Sequence, residues 1–197
     1  MDVSEVLIAA PMRIEAALIS SAARGARVRK TGMGPARSKE SAAVLAAEQA
    51  DALLVLGFCG GLDDASVPGE VIVADELYAA SDDGHLEELV ACPPAGELLM
   101  LLAGRGMKVR PGRIACVSRL ALGERRATLH AQGAIAVDME SVWLASGAGT
   151  RPFGVVRVVL DSPSHELLRP QAAAGALRAA RALRNVARSL HEWSPAG

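Results

Sequence analysis

Carboxylates and glycines follow the short apolar runs of this sequence, at the points where the strands of a sheet would end. They are Glu15 after Val6–Ala10, Gly57–Gly61, which is predicted to be a loop, after Ala52–Leu56, Asp138 and Glu140 after Ile135–Val137, and Asp161 after Val155–Leu160. Because open α/β sheets bind ligands beyond the carboxyl ends of their strands, these groups are predicted to converge on one edge. Carboxylates there can move protons or hold hydroxyl groups, and glycines let backbone amides approach a ligand closely.

Each of these features by itself has an ordinary structural explanation. A pair of glycines is more often a turn than a ligand cradle. Glu15 could complement a helix dipole, and Asp161 could cap a helix. Asp138 and Glu140 could be polar residues that enter the helix predicted at Ser141. It is the ordered set, and no single member of it, that indicates a function.

The apolar runs also predict the elements that would position these groups. Unbroken apolar runs of strand length indicate strands that are covered on both faces. The predicted strands are Val6–Ala10, Ala52–Leu56, Val71–Ala74, Ile114–Val117, Ala134–Val137 and Phe153–Leu160, with Ala-rich helical segments between them. Alternating strands and helices predict a three-layer α/β domain around a mostly parallel sheet. Ser81–Pro94 is predicted to be an irregular loop.

Length and composition bound the class of protein. The 197 residues fit one domain, 1–197, and 51% hydrophobic residues are enough to bury a core. A formal net charge of −1 and 3% aromatic residues argue against general nucleic-acid binding. The three cysteines form no CxxC pair, which predicts neither a disulfide framework nor a zinc site. With no signal peptide and no membrane span in the sequence, a cytoplasmic location is expected.

The ordered motifs resemble those of the nucleoside phosphorylase and nucleosidase superfamily, which includes the methylthioadenosine/S-adenosylhomocysteine nucleosidases. Gly60–Glu76 is similar to the family's GGL–VGDIVV–DE block, and Ala136–Ser141 is similar to its A-V-E-M-E-A motif. Arg157–Asp161 matches R-x-x-S-D with Leu160 in place of Ser, and Ala10–Glu15 matches A-M-E-E-E at its Met and last Glu. The resemblance spans Val6 to about His165. The sequence AVDMES at Ala136–Ser141 is most similar to that of the hopanoid-associated branch, thought to remove adenine from adenosylhopane.

The resemblance implies a three-layer α/β/α sandwich with a central mixed, mostly parallel sheet, and cleavage of the N-glycosidic bond of a purine nucleoside. Asp161 would protonate purine N7 as general acid, with a pKa raised by burial, and Glu15 would orient or deprotonate the attacking water. Glu140 would accept hydrogen bonds from the ribose hydroxyls while Met139 packs against the sugar. The remaining substrate-binding positions it implies are Asp138, Phe58, Cys59, Gly60 and Leu122. No metal or organic cofactor is expected.

Three interpretations of the site remain open. Hydrolysis is favoured because no Arg immediately precedes the glycine segment, although Arg13 and Arg37, with Gly32 and Gly34, could hold phosphate for phosphorolysis. Departures at Phe58, Leu122 and Leu160 instead suit a nucleoside-binding protein that has lost turnover. The short segment between Glu76 and Arg113 predicts an open pocket for a large or lipidic 5′ substituent. The family generally forms homodimers or larger rings, which is the expectation here. Cys59 is predicted to be a packing residue, not a nucleophile.

Overall fold

The computed structural model describes residues 5–81, 85–164 and 172–194. Its strands are β1 Val6–Ala10, β2 Arg27–Lys30, β3 Ala52–Gly61, β4 Val71–Ala80, β5 Leu86–Ala91, β6 Val109–Val117, β7 Ala134–Asp138 and β8 Phe153–Asp161. Its helices are α1 Arg13–Ala22, α2 Pro35–Ala47, α3 Ala95–Gly104, α4 Glu124–Ala131, α5 Ser141–Leu144 and α6 Ala172–Ser189, with short 3-10 turns at Ala145–Ala148 and Leu190–Glu192. None of the helices in these ranges has the length and apolar character that crossing a membrane requires.

The eight strands of the described ranges belong to one mixed sheet. The order is β2-β1-β3-β7-β6-β4-β5, and β8 pairs with both β3 and β4. Five pairings are parallel, while β3 with β7, β4 with β5 and β4 with β8 are antiparallel. The pairings of β3, β8, β4, β6 and β7 close into a ring, so part of the sheet curls on itself. The predicted α/β class, with a mixed and mostly parallel central sheet, is confirmed.

Helices cover both faces of the sheet, as the unbroken apolar runs predict. In β3, Leu53 and Val55 pack with the residues of α2 and α5, whereas Leu54 and Leu56 pack with α1, α3 and α6. Alternate side chains of a strand point to opposite faces, so an all-apolar strand fills two cores at once. A third apolar cluster, which includes Tyr78 and Leu129, packs α4 against the curled part of the sheet.

Two local expectations are wrong. Ser81–Pro94 is not all irregular, because it contains β5, an edge strand paired antiparallel with β4 through residues such as Tyr78 and Leu89. The glycine segment Gly57–Gly61 is not a loop, because it completes β3 by pairing with β8 and β7. A register shift interrupts the pairing with β8 between Cys59 and Gly60, and Gly60 then pairs with Asp161 of β8 and with Val137 of β7. Neither segment has the alternating or unbroken apolar pattern of a strand, so both form strands only because neighbouring strands pair with them.

Candidate active site

Glu15 is held in the first turn of α1, at the carboxyl end of β1. The residue is 1% exposed. Its Oε2 accepts the backbone N–H of Met12 and its Oε1 accepts that of Phe58 in β3, each at 2.6 Å. Burial raises the pKa of Glu15, while Arg157 and the two amides act in the opposite direction. A fixed carboxylate with an increased proton affinity suits an acid–base role.

Arg157 is a fully buried charge in the middle of β8, and carboxylates surround it. Its Nη2 lies 2.7 Å from Oδ2 of Asp138 and 3.5 Å from Oε2 of Glu140. Nη2 and Nε also donate to the Ser141 hydroxyl at 2.9 and 3.2 Å. Burial opposes the charge, but these carboxylates and Glu15 raise the pKa of Arg157 above its ordinary value. The carboxylate cluster consists of Glu15, Asp138, Glu140 and Arg157.

Asp138 has a structural place in this cluster. Besides the Arg157 pair, its Oδ1 accepts the backbone N–H groups of Glu140 and Ser141 at 3.1 and 3.2 Å, and its Oδ2 accepts the Ser141 hydroxyl. Although burial works in the other direction, Arg157 and Ser141 lower the pKa of Asp138. Both oxygens are therefore engaged in fixing the turn between β7 and α5.

Glu140 is a cluster member with a strongly raised pKa. It follows β7, its Oε1 accepts the backbone N–H of Gly34 at 3.2 Å, and the residue is 5% exposed. Burial and the charge of Asp138 raise the pKa of Glu140 to about 7, against the opposing charge of Arg157. At neutral pH this group exchanges readily between acid and carboxylate.

Gly57 explains how Glu15 and Arg157 come together. A Cβ atom at this position would lie 2.5 Å from Oε1 of Glu15 and 2.8 Å from Nη1 of Arg157. Both charged groups therefore pack directly on the backbone of β3. Gly60 has the same function at the other end of the site, where a Cβ would lie 3.0 Å from Nη2 of Arg126 and 3.3 Å from Oδ1 of Asp161.

Asp161, at the end of β8, faces a guanidinium. Its Oδ2 accepts a hydrogen bond from Nη2 of Arg126 at 2.6 Å. The Nε of Arg126 donates to the carbonyl oxygen of Ala121 at 2.9 Å. The sequence predicts burial for Asp161 and no charged partner, so this arginine, supplied by α4, is a new element of the site.

The other expected substrate-binding residues lie at different depths. Met139 is half-buried and lines a cavity of about 50 Å³ with Gly60, Arg126 and Asp161. Phe58 packs its side chain toward the α1 and α6 face, with Leu160. Cys59 is buried in the opposite core, where burial raises the pKa of its thiol.

A larger cavity adjoins the small one. It has a volume of about 730 Å³, and Leu120, Arg126 and Asp161 line both cavities. Leu122 also lines the larger cavity and is 62% exposed. A volume of this size falls in the range of small-molecule sites.

The candidate phosphate residues occupy the first turns of two helices. Arg13 begins α1 and Arg37 lies in the first turn of α2, and both are exposed. Within the described ranges neither has an ion-pair partner. Gly32 and Gly34 have φ angles of 87° and 84°, the left-handed region that favours glycine. Two buried hydroxyls beside these positions, those of Thr31 and Ser38, lack a hydrogen-bond partner in the described part of the chain.

Sequence reasoning missed Arg126 and the central role of Arg157. Arg157 carried a signal, since one charge interrupts the apolar run Phe153–Leu160 and such a charge is buried only with partners. Arg126 carried no such signal. Arg125 precedes it, and only the packing of α4 decides which of the two arginines is buried.

Comparison with known proteins identifies the family. The family model described as "Phosphorylase superfamily" matches residues 17–189. The chain belongs to the phosphorylase superfamily.

Solved structures of similar fold include two nucleosidases. The S-adenosylhomocysteine nucleosidase of Streptococcus pyogenes, in complex with 5-methylthiotubericidin, superimposes with a TM-score of 0.77 at 21% identity, covering 96% of this chain and 98% of that one. The 5′-methylthioadenosine/S-adenosyl homocysteine nucleosidase of Campylobacter jejuni gives 0.77 at 17% identity, covering 94% and 99%. At identities this low, the superpositions show a shared fold alone.

One of the curated relatives is an AMP nucleosidase, and it is a longer protein. AMP nucleosidase of Escherichia coli strain K12 is 26% identical over an alignment of 170 residues, and the alignment covers 75% of this chain and 35% of the relative. The chain thus spans about a third of the length of the relative that it matches.

Proposed function

We propose that this member of the phosphorylase superfamily hydrolyses the N-glycosidic bond of a purine nucleoside. The observation that carries the proposal is the carboxylate cluster, in which Glu15 and Glu140 are buried beside one arginine at the ends of β1 and β7. The similarity to proteins named AMP nucleosidase and S-adenosylhomocysteine nucleosidase supports the same reaction class and an adenosine-type substrate.

Glycoside cleavage passes through a sugar that resembles an oxocarbenium ion, so negative charge beside the sugar lowers the barrier. In the proposed reaction, the C1′–N9 bond breaks and its electron pair leaves with the base. A water oxygen forms the new bond to C1′ and one water proton passes to Glu15, which then releases it to solvent, while the departing base takes up one proton from solvent. Glu140 accepts hydrogen bonds from the ribose hydroxyls, and Met139 packs on the sugar.

The charge balance of the cluster favours water over phosphate as the nucleophile. Glu15, Asp138 and Glu140 are three carboxyl groups around one guanidinium. A phosphate dianion that approached C1′ from this side would meet a surplus of negative charge. Water carries no such penalty, and the increased proton affinity of Glu15 suits it to accept the proton.

Phosphorolysis is the second candidate, and one set of residues favours it. Among the described residues, Arg13 and Arg37 have no ion-pair partner in the first turns of α1 and α2, and the buried hydroxyls of Thr31 and Ser38 have no hydrogen-bond partner. Helix N-termini, arginines and hydroxyl donors together are suited to bind phosphate.

Chromatography of the released base tests both candidates. The substrates are methylthioadenosine, adenosine, inosine and an adenosyl lipid conjugate, each with and without phosphate. Release without phosphate supports hydrolysis, and the best substrate reports the 5′ pocket. Release only with phosphate assigns Arg13 and Arg37 to the anion and overturns the role of Glu15. Nucleoside binding by calorimetry without release of base would instead favour a binding protein that has lost turnover.

A further inference from the structure

A second cavity, rich in cations, lies apart from the candidate active site. It has a volume of about 570 Å³ and is formed by α6, the turn after α3 and the segment before β4. Among the described residues, it shares no lining residue with the two cavities at Asp161. In the same ranges, the charged residues that line this basic cavity are Arg105, Lys108, Arg178, Arg181 and Arg188, with a single carboxylate, that of Glu70. Since the whole chain has 21 basic and 22 acidic residues, this is a local excess of positive charge.

Three of these cations come from α6 and have no carboxylate beside them. Arg178, Arg181 and Arg188 are three and seven residues apart, so they lie on one face of the helix. The helix, Ala172–Ser189, contains no Asp or Glu, which excludes ion pairs within it. Across the described part of the chain, none of the three arginines has an ion-pair partner. A solvated helix face normally mixes charges of both signs, so this face is suited to an anion from outside the chain.

The opposite wall adds a cation that is held in place. Glu70 is 1% exposed, and its Oε1 lies 3.1 Å both from Nζ of Lys108 and from Nε of Arg110. Two cations thus share one carboxylate, which leaves a positive surplus on this wall as well. The ammonium of Lys108 has three donors, and its side chain is 60% exposed. Lys108 can therefore keep its contact with Glu70 and still donate to a ligand.

The shape of the cavity indicates an extended anion. Arg178 and Arg188 are ten residues apart on a helix, which separates them by about 15 Å along its axis. A single phosphate can contact only part of that row, whereas a chain of phosphates can reach several of its members. At Gly69, φ is 94° and a Cβ atom would lie 3.3 Å from the backbone of Arg178, so the segment before β4 packs closely against α6. Apolar residues of the lining, such as Val71 and Met107, offer a surface for an organic group.

We propose that the basic cavity binds a small molecule that carries two or more adjacent phosphate groups, with Arg178, Arg181 and Lys108 holding its phosphate oxygens. Guanidinium groups bind phosphate oxygens in pairs, and an ammonium acts as a compact point charge beside them. The volume lies in the range of small-molecule sites. The inference does not depend on the proposed function, because the cavity lies apart from the carboxylate cluster.

Calorimetry with inorganic triphosphate, in buffer free of divalent cations, tests the inference. The wild-type protein is expected to bind triphosphate at least about 10-fold more tightly than inorganic phosphate. The double variant Arg178→Gln/Arg181→Gln should bind triphosphate at least about 10-fold more weakly than the wild type. Both positions are exposed on α6, and circular dichroism checks that the variant folds.

A matched double variant controls for the loss of two charges. Arg13→Gln/Arg37→Gln removes the same charge from the first turns of α1 and α2 and is expected to bind triphosphate like the wild type. If this variant lost the binding while Arg178→Gln/Arg181→Gln kept it, the anion would bind at those turns and the inference would be wrong. Equal affinity of the wild type for phosphate and triphosphate, or no affinity for triphosphate, would also overturn it.

Sedimentation with phosphatidylglycerol vesicles separates a free phosphate compound from lipid headgroups. The wild type is expected to stay in solution in the presence of these vesicles while it binds triphosphate. Sedimentation that is abolished in Arg178→Gln/Arg181→Gln, without affinity for triphosphate, would assign the cations to a membrane surface and overturn the inference. These readouts involve no turnover, so a failure to release base from nucleosides would count against the proposed function alone.

Discussion

At the ribose end of the site three carboxyl groups share one guanidinium, whereas at the base end one carboxylate has a guanidinium of its own. Burial, with a smaller contribution from the charge of Asp138, raises the pKa of Glu140 to about 7 and also raises that of Glu15, against the charge of Arg157. The one-to-one pair of Arg126 and Asp161 instead leaves a fixed donor beside a fixed acceptor. An excess of buried carboxyl groups over cations favours proton transfer and stabilises a cationic sugar. A pair with one carboxylate and one guanidinium instead favours hydrogen bonding to a ligand.

The ends also differ in how they are built. The carboxylate cluster is held by strand ends and by first helical turns, with backbone amides fixing Glu15 and Asp138. The base end depends on α4, whose side chain of Arg126 reaches across to β8. We therefore expect substitutions in the cluster to affect folding and turnover, and substitutions at the base end to affect selectivity.

Removing Arg157 is expected to have the largest effect. Arg157→Met leaves Asp138 and Glu140 buried without their cation, so the free energy of unfolding should fall by about 3–5 kcal/mol. Urea denaturation followed by circular dichroism measures this. Arg188→Met, at an exposed position of α6, is the matched control. A loss of less than about 1 kcal/mol in Arg157→Met would show that the cluster is not organised around this arginine.

Neutralising Glu15 should reduce turnover more than it reduces binding. Glu15→Gln removes the group proposed to accept the water proton, and base release should slow by about 10²- to 10⁴-fold in kcat. The measurement is initial-rate chromatography, with circular dichroism as the check on folding. Glu40→Gln, on an exposed face of α2, should leave the rate unchanged. Turnover of Glu15→Gln at the wild-type rate would contradict the assignment.

Adding one carbon to Gly57 tests how tightly the cluster is packed. The new Cβ of Gly57→Ala would meet Glu15 and Arg157 at 2.5 and 2.8 Å, so we expect a loss of about 1–3 kcal/mol in the free energy of unfolding. Gly96→Ala, in α3, meets nothing within 4 Å and should instead gain about 0.5–1 kcal/mol. Equal effects of the two substitutions would mean that the strand has room at Gly57.

Glu140 predicts a pH dependence of stability. Its pKa is raised from 4.5 to about 7, so the native state binds this proton more tightly than the unfolded chain does. The contribution of Glu140 to stability must therefore fall as the pH rises from about 4.5 to about 7, by at most about 1.4 kcal/mol per pH unit. Asp138, whose pKa is lowered from 3.8, acts below that window.

Denaturation of the wild type and Glu140→Gln across this pH range isolates the group. The difference in the free energy of unfolding between the two proteins should decrease with pH and then level off above about pH 8. A difference that stays constant, or that increases with pH, would rule out a raised pKa at Glu140.

Much of the fold could be predicted because both faces of the sheet are covered. β1 begins and ends where its apolar run does, and β7 and β8 each extend only one residue further, to Asp138 and Asp161. The missed segments have no such pattern. β5 is an edge strand with mostly exposed residues, and the end of β3 consists of glycines whose pairing depends on β7 and β8. The roles of the individual site residues and the extent of the domain, 1–197, stay predictions.

The sequence by itself determined which side chains stand at the carboxyl ends of the strands, because apolar runs and their boundaries are local properties of the chain. Glu15, Glu140 and Asp161 follow from that pattern. Only the tertiary structure decided how their charges are balanced, because Arg157 and Arg126 meet these carboxylates across contacts between elements distant in the chain. A buried charge behaves according to its neighbours in space, and those neighbours come from the packing of β8, α4 and α1.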